Sequence, residues 1–359
     1  MRRAARFVLS FALIVSLAFT ALSGWQLAAG WPATAFVDRG AGGIVAATDR
    51  AMARRATPQR LGERLQALLA ERPRNWVAID AVLAVAEERA LSLAPPVLGA
   101  VETARGEDHG AAALARACLD CARDPRACGL SAEFACQVAV AVSPVGDVQG
   151  IAAELGNAAR GEEIDRINLG LSVVGLASLL ALVPSGGTSA VTAAGAKVLR
   201  LVYRMGRLSP RLVRLARRSV DEGIDWARLR NMPLGSVAEA GGLRRVINPA
   251  ALAPLVDLGH DIGRMGAALG PRGAVLVLGR ADDAVEARRL ANASQALGAR
   301  TVGRLEVLGT QRFLRATVRW SRLSWTLAAS LGGFLLSLAG FLVGSAGNAG
   351  LRFLRRRAR

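Results

Sequence analysis

Thr57-Pro58-Gln59-Arg60-Leu61-Gly62-Glu63-Arg64-Leu65-Gln66-Ala67-Leu68-Leu69 is the stretch on which the fold turns. Leu61, Leu65, Leu68 and Leu69 recur three and four apart, so on a 3.6-residue helix they share one face. Thr57 can offer its side-chain oxygen to the free N–H groups of the first turn. Pro58 takes a position there where its missing N–H costs nothing. The same spacing returns one helix later at Val77, Ala81, Ala84 and Val85. Turn signals at Pro73, Pro95-Pro96, Pro144, Ser209-Pro210, Pro233, Gly241-Gly242, Pro249, Pro254 and Gly270-Pro271 leave intervals of about 10 to 25 residues, which are helix lengths. Only Gly273 to Leu278 could form a strand, and one short strand has nothing to pair with. The expectation is an all-α fold.

Composition narrows the class. The chain has 359 residues, is 52% hydrophobic and 4% aromatic, and carries a net charge of +18. Its positive mean hydropathy of +0.32 excludes a disordered polar chain. The 39 Gly and 13 Pro have no collagen period. All basic residues but Lys197 are arginine, which we read as a genomic bias, so nucleic acid is not an expected partner. The charge is uneven: −3 over residues 31–166 and +13 over residues 167–322.

Two terminal segments read as membrane helices. Arg2, Arg3 and Arg6 precede an uncharged run from Phe7 to Val37, of which Phe7 to Leu27 is long enough to span a bilayer. Residues 1–30 are therefore a signal anchor or, given Ala21-Leu22-Ser23, a cleavable signal peptide. Trp25 and Trp31 suit the outer interface. Leu323 to Leu351 is uncharged and is followed by Arg352, Arg355, Arg356, Arg357 and Arg359, a basic tail expected on the cytoplasmic side. Within that segment Gly340 and Gly344, four apart, would let two helices approach closely and associate, making a homo-oligomer. With both termini cytoplasmic, the bulk of the chain is expected in the periplasm of a bacterial inner-membrane protein.

A third apolar stretch, Ile167 to Ala196, is divided by Pro184-Ser185-Gly186-Gly187. It is read as a buried or membrane-resting helical hairpin, with a single crossing as the rival. The regions expected are 38–142, helical with a four-cysteine hairpin; 143–222, the apolar hairpin and cationic helices; and 223–322, helical again.

The four cysteines follow the order Cys118-x2-Cys121-x6-Cys128-x7-Cys136, between the helix-like stretches Ala111 to Arg123 and Ser131 to Val142, with Asp124-Pro125 as the turn. In a hairpin centred near residue 127, Cys118 would meet Cys136 and Cys121 would face Cys128. A nested pair of disulfides is the economical connectivity, although four cysteines allow three. Zinc and free buried thiols remain alternatives. Disulfides would agree with a periplasmic location.

Lys197, Arg200, Arg204, Arg207, Arg211, Arg214 and Arg218 recur in steps of three and four. On an unbroken helix they form one positive stripe. It could rest on an anionic lipid surface or be only a solvated face; Pro210 is expected to start a new helix. Residues 143–199 hold Ser143-Pro144-Val145-Gly146-Asp147 and then the Gly-interrupted apolar hairpin, which together resemble the pre-toxin helical module of bacterial polymorphic toxins. The resemblance implies a hydrophobic hairpin that associates with membranes or precedes an effector domain; here a membrane anchor follows instead of a catalytic domain.

Reactive chemistry is sparse. Asp257-x2-His260-Asp261 could orient a ring but reads as structural, and His109 follows Glu107-Asp108 at an expected helix start. Gly279-Arg280-Ala281-Asp282-Asp283 lacks phosphate-loop glycine spacing, while Asp282, Asp283 and Glu286 fit the first turn of a helix to Leu297. No metal or cofactor is expected. The expected function is a non-enzymatic anchoring or scaffold protein offering its helical domain to envelope proteins; the alternatives are a membrane-perturbing, toxin-linked effector using residues 167–187 and, further off, an enzyme.

Overall fold

The structure is a computed structural model that describes residues 33–131, 133–136, 150–154, 156–157, 160–180, 188–230 and 245–317. The terminal apolar segments, including Gly340 and Gly344, and the Ser143 to Asp147 motif lie outside the described residues. Residues 44–317 pack as one compact unit; residues 1–43 and 318–359 group as a second, of which the described part is helical over 33–43.

The described residues are all-helical apart from turns, links and one isolated bridge between Ile224 and Ile247. The helices are α1 Ala33–Arg55, α2 Pro58–Ala70, α3 Trp76–Glu88, α4 Pro95–His109 and α5 Ala111–Arg123. Then come α6 Arg166–Leu180, α7 Thr188–Arg204, α8 Pro210–Gly223 and the short α9 Trp226–Arg230. Next are α10 Pro249–Leu278, α11 Ala284–Leu297 and α12 Arg300–Leu308, and residues 310–317 are helical as well.

Several starts follow directly from local chemistry. Thr57 caps α2 by accepting from the Arg60 N–H, and Leu61, Leu65 and Leu68 are fully buried beneath it. Ser209 caps α8 by accepting from Leu212, so a new helix begins at Pro210. Asp283 caps α11 by accepting from Glu286 at 2.9 Å, while the Glu286 carboxylate accepts from Asp282 at 3.0 Å. That reciprocal pair satisfies two end N–H groups at once.

Other expectations give way to packing. In α3 the buried residues are Trp76, Ala78, Ile79, Val82, Val85 and Ala86, while Ala84 is exposed. A helix this uniformly apolar has no sequence face for periodicity to select, and its neighbours choose one. Pro254 does not interrupt α10, which runs through it without the one backbone bond that an N–H there would make to Ala250. Gly270 does break the helical path, with φ at +70°, so Gly270-Pro271 is a kink. The strand candidate Gly273 to Leu278 is instead the buried last part of α10. His109 closes α4 where a helix start was expected, which places Glu107 and Asp108 at the unfavourable end of the helix dipole. Arg74 compensates, donating to both carboxylates at 2.9 Å. Burial pulls the Arg74 pKa down, but these two bonds and charges outweigh it and leave it raised.

The kinked α10 is the central element, packed against α7, α8 and α11, and α6 packs against α7 and α8. At the α7–α10 crossing the backbones nearly touch. A Cβ on Gly195 would overlap the Gly259 carbonyl, and one on Gly263 would overlap the carbonyl of Val191. The second packing site is α12, which lies on α3 and α2. Among the described residues no helix is long and apolar enough to cross a membrane. Ile167, Leu169, Leu171, Val173 and Val174 of α6 are buried in the protein core, with α7 packed beside them; the expected break at Pro184-Ser185-Gly186-Gly187 lies outside the described residues.

Candidate functional site

The cysteine window forms a closed corner. Cys118 bridges Cys136 and Cys121 bridges Cys128, with Cα separations of 5.8 and 4.5 Å. This is the nested connectivity, and it uses all four thiols, which overturns the zinc and free-thiol alternatives. The turn is built as Asp124 accepts from the Arg126 N–H at 2.9 Å, starting a 3-10 turn over Pro125–Ala127. Beyond it Leu130 and Phe134 are buried, so the corner contributes to the hydrophobic core. It is tied to the link between α2 and α3: the Ser131 hydroxyl donates to the Arg74 carbonyl oxygen at 2.9 Å and accepts from the Trp76 N–H at 3.4 Å. The Trp76 indole N–H donates to Asp108 at 2.9 Å, and the Arg105 guanidinium lies 4.6 Å over the Trp76 ring.

The expected positive stripe is not one surface. Lys197 and Arg200 are buried, with 6% and 3% exposure, and Arg200 donates to the Ser172 hydroxyl at 2.7 Å. Their steps of three and four place them on the side of α7 that faces the protein. Gly206, with φ at +67°, then ends the helical path and changes the phase. Arg207 is half-buried and donates to the Cys128 carbonyl oxygen at 3.2 Å. Only Arg204, Arg211, Arg214 and Arg218 of the seven are exposed, joined on α8 by Arg217, which the stripe omitted. On α8 the opposite face, Leu212, Ala216 and Val220, is buried, so this helix is amphipathic as it sits on the protein.

Two cavities flank these elements. One, of about 500 Å³, lies between the α2–α3 link, the disulfide corner and the carboxyl end of α10; its wall includes Arg72, Arg207, Arg280, Glu71, Asn75 and Leu130. Burial pushes the Arg207 pKa down, and the more distant charges of Glu71 and Glu133 act in the other direction. The other, of about 850 Å³, is bordered by Glu162, Glu163, Asp165, Asp221, Arg217 and Tyr203. There the Tyr203 hydroxyl donates to Asp165 at 3.1 Å, and its pKa is pushed up to about 12, first by burial and then by the Asp165 charge and hydrogen bond.

His260 is exposed and lines neither cavity. Asp261 is engaged by Arg264 at 2.5 Å and by Arg288 at 3.1 Å, and Asp257 by Arg288 at 3.7 Å. The carboxylates beside this ring are thus committed to structural ion pairs. Among the described residues no three His, Cys, Asp or Glu side chains gather as metal ligands would. No known protein family, curated protein or solved structure matches the chain.

The cavity beside the disulfide corner was not foreseen from sequence. Its arginines come from positions 72, 207 and 280, and no local pattern links residues so far apart.

Proposed function

We propose that the chain is a non-enzymatic anchoring or scaffold protein of the bacterial inner membrane, with both termini cytoplasmic and its helical domain held in the periplasm for other envelope proteins to bind. The observation that carries this reading is the pair of disulfides closing one corner of the 44–317 unit. Such bridges persist in an oxidising compartment. That is the side of the membrane to which the arginines flanking the two terminal apolar segments assign the same residues. Association through Gly340 and Gly344 and contact of Arg211, Arg214 and Arg218 with anionic lipid belong to the same proposal.

The rival, a membrane-perturbing hairpin with the pre-toxin resemblance, requires α6 to leave the core in which Ile167 to Val174 are buried. Each large apolar side chain so moved costs about 1.5–3 kcal/mol until it reaches lipid. Topology mapping tests the main reading. Alkaline phosphatase fused after residue 225 should be active and a fluorescent protein fused after residue 358 should be bright. An impermeant maleimide that labels a cysteine placed at residue 358 in intact spheroplasts would overturn it. Dye leakage from anionic vesicles on addition of the full chain would favour the rival.

A further inference from the structure

The geometry points to a binding site for a small amphipathic carboxylate in the cavity between the disulfide corner and the carboxyl end of α10. At about 500 Å³ the cavity has the size of a small-molecule site. Arg207 is its central group. The side chain is half-buried, and its one hydrogen bond goes to the neutral carbonyl oxygen of Cys128; among the described residues no carboxylate pairs with it. A guanidinium partly withdrawn from water, on which the charges of Glu71 and Glu133 act but which pairs with neither, leaves its planar fork for an anion that takes it on two oxygens.

The neighbours set the charge of that anion. Arg280 is already paired with Glu306 at 2.9 Å, and Arg72 is anchored on the carbonyl oxygens of Leu69 and Glu71 at 2.8 and 2.9 Å. Glu71 stands in the same wall. Glu306 pairs with Arg280, and Glu71 and Glu133 offset the other two arginines in charge without pairing with Arg207, so the wall has no positive surplus for a phosphate dianion and a monoanion is the most that the Arg207 fork can take. Asn75, the cap of α3, also borders the cavity, so the positive end of that helix dipole acts in the same sense. The remaining wall includes Leu130, Val275 and Leu276, against which a hydrocarbon body can pack. A carboxylate with a short aliphatic or aromatic tail meets both requirements. This inference is independent of membrane attachment, because every residue it uses lies in the 44–317 unit.

Isothermal titration calorimetry of the full chain, purified unreduced in a non-ionic detergent, tests the site with three probes: 3-phenylpropionate, its neutral amide and inorganic phosphate. The expected result is saturable binding of the acid at one site per chain, with the amide at least tenfold weaker and phosphate unable to displace the acid. Arg207→Gln should weaken the acid at least tenfold, while Arg116→Gln, on the exposed face of α5, should leave it unchanged. Should Arg207→Gln lose the helical circular dichroism signal, Arg72→Gln, whose side chain is exposed, replaces it with an expected loss of at least threefold. Equal affinity for acid and amide, displacement by phosphate, no heat from the acid, or unchanged affinity in the folded arginine variant would each overturn the assignment.

Discussion

Two helix contacts inside the 44–317 unit achieve close burial by opposite means. Where α7 crosses α10, Gly195, Gly259 and Gly263 remove side chains altogether, and the contact is made by backbone against backbone. Where α12 meets α1 and α3, the buried residue is Arg304, 1% exposed, whose guanidinium is held by Asp49 and by Glu88. Two residues on, the buried Glu306 carboxylate is held by Arg64 at 2.5 Å and Arg280 at 2.9 Å. The first contact is tight because nothing polar has to be satisfied beyond the helical backbone. The second is specific because charges removed from water must each find a defined partner. At Arg304 that matching is incomplete: Nε and Nη1 have no hydrogen-bond partner among the described residues.

The contrast can be broken in order of effect. Gly195→Leu should cost about 4 kcal/mol or more, since the new side chain has only the Gly259 backbone to displace. Urea unfolding followed by circular dichroism reads this; an unchanged midpoint would show that the helices stand further apart. Arg304→Ala should cost about 3 kcal/mol, whereas Arg304→Met, which keeps the volume and removes the charge, should fall within about 1 kcal/mol of the parent. If Met and Ala are equally damaging, the ion pairs and not the packing hold α12 in place.

The disulfide corner is a third means of holding helices, and it acts on the unfolded chain. Opening the Cys118–Cys136 bridge by Cys118→Ser with Cys136→Ser should lower stability by about 2–3 kcal/mol, as expected for a loop spanning 18 residues. The same urea measurement, run with and without dithiothreitol, should show that reductant affects the double variant less than the parent.

The smallest effect is at the far end of α7. Tyr203 is the chain's single tyrosine, so ultraviolet titration of the phenol reports this site alone. Its midpoint should lie at about 12, and Asp165→Asn should bring it down. The sign follows from proton binding: above the ordinary value of 10.0 the unfolded chain loses this proton while the folded chain keeps it. Ionisation from pH 10 upward therefore favours the unfolded chain, so the stability contributed by the protonated Tyr203 is full below pH 10, falls as pH rises to about 12, and levels off once the folded chain loses the proton as well. A midpoint at 10 would show the hydroxyl to be fully solvated.

The two contacts also differ in how far they could be read beforehand. Gly259-x3-Gly263 has the spacing that marks close helix approach, the same spacing that drew attention to Gly340 and Gly344 in the terminal apolar segment. Arg304 and Glu306 carry no such mark, since a charged pair two apart on a short helix looks like solvated surface. The cationic stripe failed for a related reason. Its period was correctly helical, but period alone cannot tell a charged face turned to solvent from one turned inward, and Lys197 and Arg200 are turned inward.

Local chemistry written in neighbouring residues settled the helical class, the cap at Thr57, the helix starts at Pro210 and near Asp283 and the chain reversal at Asp124-Pro125, and it favoured the nested cysteine pairing without excluding the others. Each of these depends on groups a few positions apart whose geometry the helix and the turn already define. Tertiary packing alone decided which face of α3 is buried, that Arg207 is half-buried beside Cys128, and that arginines 72, 207 and 280 line one cavity. Those outcomes depend on which distant helices share a core, and burial is a property of the assembled unit that no single stretch of chain contains.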